Sequence, residues 1–113
     1  MNETLTLDSL TAALRVLRVL TVDFGHLPAP TVYISPLDPD RLEVAFHGGT
    51  VSGLPGFEAW REALDVAPDA VDFHMQGEGH TAVLRVVTAY AGAELELVGY
   101  GDIAAPVLVG GAV

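Results

Sequence analysis

The sequence predicts an α+β fold, a two-layer sandwich in which two helices lie on one face of a five-stranded, largely antiparallel sheet. Three observations carry this: a helical apolar stripe before residue 25, period-two alternation over 31–47 and again over 71–100, and a short helical pattern over 55–65 between them. Together they give the order α-β-β-α-β-β-β. At 113 residues, residues 1–113 are expected to form a single domain with a core that needs neither disulfide nor metal.

The first element, within residues 1–25, places Leu7, Leu10, Leu14, Leu17 and Phe24 at three- and four-residue steps, with Val16 and Leu20 widening the stripe. Thr6 or Asp8 is positioned to cap its start, and Gly25 followed by Pro28 to stop it. His26 falls at the negative end of the helix dipole. The stripe is too short for a coiled-coil seam, so these leucines read as core.

A hairpin follows over 31–47. Val32 and Ile34 alternate with polar residues, as do Leu42, Val44 and Phe46. Pairing Ile34 with Leu42 and Val32 with Val44 puts all five on one face and leaves 36–40, with its two prolines, as the loop. After a glycine-rich connection, Pro55 opens the second helix, whose Phe57, Trp60 and Leu64 face the sheet as an aromatic plug. Glu58, Arg61, Glu62 and Asp65 fall on its solvent side.

The meander over 71–100 is set by two turns. Gly77-Glu78 places Phe73 opposite Ala82 and Val71 opposite Leu84, while Ala91-Gly92 places Val86 opposite Leu97 and Thr88 opposite Leu95. Both turns agree on one buried face, and a slip of one residue would bring Arg85 or Glu96 inward.

The block Phe57-Glu58-Ala59-Trp60-Arg61-Glu62-Ala63-Leu64, the Pro-Asp turn after it and the segment Val98-Gly99-Tyr100-Gly101 resemble small uncharacterised proteins of actinobacteria. Those proteins are often found in integrated or prophage-like elements. The resemblance spans about residues 30 to 101 and implies an accessory role in a mobile element, with no activity or residue role attached.

Composition excludes more chemistry than it supports. There is no cysteine, hence no disulfide, thiolate metal site or cysteine nucleophile. Fifteen acidic residues stand against five arginines and no lysine, a formal charge of −10, which argues against direct nucleic-acid binding. The same acidity admits a protein that mimics nucleic acid in a basic groove. The opening Met-Asn-Glu-Thr has no basic run and no apolar stretch approaches a membrane span, so a cytoplasmic protein without membrane partners is expected.

His47, Asp72 and His74 point to the outer sheet face and would converge on a metal or acid-base site if the second and third strands were neighbours. Their spacing forms no metal signature, no serine lies in a nucleophile elbow, and no paired carboxylates stand out. No cofactor is expected. The sharper feature is the outer face itself, where Val83, Val87, Ala89, Val98 and Tyr100 alternate with Arg85, Glu94 and Glu96. Such a face is too apolar to be left in water, and Val83, Arg85, Val87, Val98 and Tyr100 are the expected interface residues. Its cover is either the apolar tail 101–113 or a second copy packed face to face or edge to edge, which makes the chain a homodimer or a module for another protein partner.

Overall fold

A computed structural model describes residues 5–47, 53–76 and 81–102 of the chain. The order of elements is the expected one. A 3-10 turn, Leu7–Leu10, leads into α1, Thr11–Asp23; then come β1, Thr31–Ser35, and β2, Asp38–Phe46. The second helix α2, Leu54–Ala63, precedes β3, Asp72–Gln76, β4, Thr81–Tyr90, and β5, Ala93–Asp102. Both helices pack on the sheet face built by Leu42, Val44, Phe46, Val86, Leu95 and Leu97. No described helix is long and apolar enough to cross a membrane.

The sheet order is β1-β2-β5-β4-β3. Its ladders are antiparallel except for β2 with β5, which run parallel. The connection from β2 to β3 at the far edge includes α2, which packs on β5 and β2, and the chain then meanders back until β5 lies beside β2. Glycine makes this closure tight. Gly53 donates its N–H to the Tyr100 carbonyl at 2.9 Å and leaves no room for a side chain against the Phe46 carbonyl. A Cβ at Gly99 would sit 2.7 Å from that of Phe57, so the missing side chain is what lets α2 lie directly on β5.

The second turn of the meander is as expected. Ala91 and Gly92 both take positive φ, 53° and 88°, the conformation a two-residue hairpin turn requires, and Val86 faces Leu97 while Thr88 faces Leu95. The first differs. Phe73 pairs with Leu84 and Met75 with Ala82, two residues away from the Gly77-Glu78 register, and that turn lies outside the described residues. A two-residue shift keeps every side chain on its face, so alternation could not detect it.

Helix α1 buries a different stripe from the one its leucines suggest. Ala13, Val16 and Leu20 are buried, Leu17 and Phe24 pack beside them, and Leu7 is 77% exposed. Ala13 supplies the reason, because a methyl side chain lets the helix approach the sheet more closely than a leucine would. The Phe24 N–H bonds the Leu20 carbonyl at 2.8 Å, and Tyr90 Oη donates to Asp23 Oδ2 at 2.7 Å, tying the end of α1 to the end of β4. That bond holds the Tyr90 hydroxyl above its ordinary pKa.

In α2, Phe57 and Trp60 form the expected plug, with Trp60 5.8 Å from Phe46 between ring centroids. Trp60 Nε1 also donates to the Pro28 carbonyl at 2.8 Å. Arg61 corrects its expected place on the solvent side: it is buried, paired with Glu58, and donates to the Val66 carbonyl at 2.6 Å. Its guanidinium thus holds the turn that follows α2, where Asp65 takes a φ of 59°.

Candidate functional site

The outer face is assembled by alternate residues of the same strands that build the core, and the ladders fix its rows. One row crosses the whole sheet, Thr31, Ala45, Val98, Arg85 and Asp72. The next runs Tyr33, Glu43, Glu96 and Val87. A third is Arg41, Glu94 and Ala89. The face therefore has an apolar half and a charged half that meet along β5.

In the apolar half, Ala45, Val83 and Val98 form a small cluster with Tyr100 against it. Val83 is 2% and Val98 1% exposed, whereas Val87 is 42% exposed. Of the five expected interface residues, two are thus floor, and Arg85, Val87 and Tyr100 are reachable. Tyr100 stacks on His47 with centroids 4.8 Å apart and planes 8° from parallel. Tyr33 Oη lies 3.5 Å from His47 Nε2.

In the charged half, Glu96 is the hub. Arg85 Nε reaches one of its oxygens at 2.9 Å and Arg41 Nη1 the other at 3.5 Å, which lets a carboxylate be buried on an open face. Arg41 also holds Glu94 at 2.8 Å and Asp38 at 3.4 Å. Glu43 stands between Tyr33 and Glu96 on neighbouring strands. Burial first, then the charge of Glu96, pushes its carboxyl above the usual range, against the opposing pull of Arg85, His47 and Arg41. Tyr33, Ser35, Asp38, Arg41, Glu43 and Glu96 wall a hollow of about 180 Å³.

His47, Asp72 and His74 are not brought together. Asp72 and His74 lie on β3 at one edge, while His47 follows β2, with β5 and β4 between them. Three strand spacings amount to about 14 Å, beyond the reach of one shared ion, and no metal-binding group of three such side chains occurs among the described residues. The apolar tail 101–113 falls beyond the described residues from 103 onward. The Arg41, Glu43 and Glu96 cluster escaped the sequence reading because it depends on β5 lying parallel beside β2. The visible trace of it is the matched alternation of Arg41-x-Glu43 and Glu94-x-Glu96.

Comparison of the chain with protein-family models, with curated proteins and with solved structures finds no match.

Proposed function

We propose that this chain is a small acidic protein-interaction module, non-enzymatic and cytoplasmic, that works as a homodimer with the outer sheet face as its recognition surface. The observation that supports it is the composition of that face: reachable Tyr33, Val87 and Tyr100 around a dry apolar floor, bordered by Arg41 and Arg85 held in carboxylate pairs. Aromatic residues and arginines around an apolar centre are the chemistry of protein interfaces. Arg41 and Arg85 are oriented in advance by these pairs, which reduces what a partner must order on binding. The likeness of the 57–64 block to small proteins of integrated elements supports an accessory or regulatory role.

Size-exclusion chromatography with light scattering on the full chain, over a wide concentration range, tests the homodimer. A mass twice the 11.9 kDa of one chain is expected, and a constant single-chain mass at every concentration would sink the reading.

A further inference from the structure

The two edges of the sheet are finished differently. At one, β1 has Pro30 immediately before it and Pro36 immediately after it, and its ladder shifts between Tyr33 and Ser35. Prolines and ladder irregularities are the usual guards against strand addition. At the other edge, β3 carries no proline, lysine or arginine, and Asp72 is its one charged residue. Beside it, α2 packs on β5 and β2, which leaves a hollow of about 240 Å³ walled by Phe57, Arg61, Pro68, Val71, Leu84 and Phe73 itself. Phe73 stands 58% exposed at its mouth.

We infer that β3 is the seam of the homodimer: a second copy adds antiparallel to it about a two-fold axis through Phe73. The inference rests on the homodimer reading above and says where the two copies meet. Register supports it. With Phe73 opposite its own copy, Val71 faces Met75 and Asp72 faces His74, each twice. The helix side of the seam then carries only apolar pairs, and the outer side only acid-imidazole pairs. Moving the axis to His74 would set that imidazole against itself and lose both Asp72–His74 pairs. An axis half a step along would oppose Phe73 and His74, which point to opposite faces, so no two-fold ladder forms there. In the chosen register the two Phe73 rings close over the two hollows, and the ten strands form one sheet whose outer faces become a single continuous surface.

Because the chain has no cysteine, single-cysteine crosslinking under mild oxidation reads the seam directly. Directly opposed positions in a ladder approach disulfide distance. Phe73→Cys should crosslink to itself efficiently, whereas Val87→Cys on the outer face and Leu37→Cys in the β1–β2 loop should not. Asp72→Cys mixed with His74→Cys should give the mixed dimer in preference to either self-pair, using exposed positions that fold independently of Phe73. Phe73→Lys should weaken dimerisation by roughly tenfold or more, since it sets two cations face to face. Efficient crosslinking at Val87 with none at Phe73 would overturn the seam while leaving the homodimer reading intact. A wild-type chain that stays single at all concentrations would remove both.

Discussion

The helix-covered face and the outer face are made by alternate residues of the same strands, yet they are stabilised by different physics. On the covered face Leu42, Val44, Leu95 and Leu97 are fully buried under Phe57 and Trp60, and stability there comes from apolar area and close packing. On the outer face Arg41, Glu43, Glu94 and Glu96 occupy the neighbouring positions, and a buried carboxylate is held by two partly solvated arginines. The lesson is that one face is complete within a single chain. The other is arranged around polar pairs and exposed aromatic groups that a second protein can use.

Substitutions that treat the faces alike should therefore give unequal results. Phe57→Ala, which empties the plug beneath Gly99, is expected to cost about 3–5 kcal/mol in denaturant unfolding; a loss below about 1 kcal/mol would mean that the covered face is not the main source of stability. Glu96→Gln should cost less, roughly 1–2 kcal/mol, because Arg41 and Arg85 can turn to water once the charge is gone. Trp60→Phe keeps most of the buried ring and loses the bond to the Pro28 carbonyl, so about 1 kcal/mol is expected.

The smallest effect, and the one that separates the faces by sign, is in pH dependence. Glu43 on the outer face has its carboxyl raised, chiefly by burial. The folded state then keeps that proton to higher pH than the unfolded chain does, and stability falls as pH rises between the unfolded and folded values. Glu58 in the helix layer is lowered, chiefly by its bond from Arg61. Its contribution is present above the unfolded value and is lost as pH falls toward the folded one. Melting temperatures across the acid range should show Glu43→Gln matching or exceeding wild type at neutral pH, and Glu58→Gln falling slightly below it. The reverse ordering at neutral pH would contradict the assignment.

Legibility in the sequence followed the same division. Period-two alternation shows both faces of the strands except at the start of β2, where Asp38–Asp40 reads as loop but is strand with Pro39 inside it, and the Ala91-Gly92 turn sets the β4–β5 register to the residue, because both are local signals. The leucines of α1 misplaced its buried stripe, since apolar residues spread over more than half of that helix and only Ala13 reveals which side approaches the sheet. Arg61 looks solvent-facing in the sequence because a charge looks exposed until its partners are placed. The convergence of His47, Asp72 and His74 requires neighbouring second and third strands and fails on strand order, which depends on how α2 crosses the sheet. That same crossing makes β3 an edge among the described strands, with Phe73 largely exposed on it.

Amide hydrogen exchange of the full chain across a dilution series compares the two edge strands. Dimerisation through β3 predicts that amides of Asp72–Gln76 gain protection as concentration rises, while those of Thr31–Ser35 stay unchanged. Exchange at β3 that is fast and independent of concentration would contradict it.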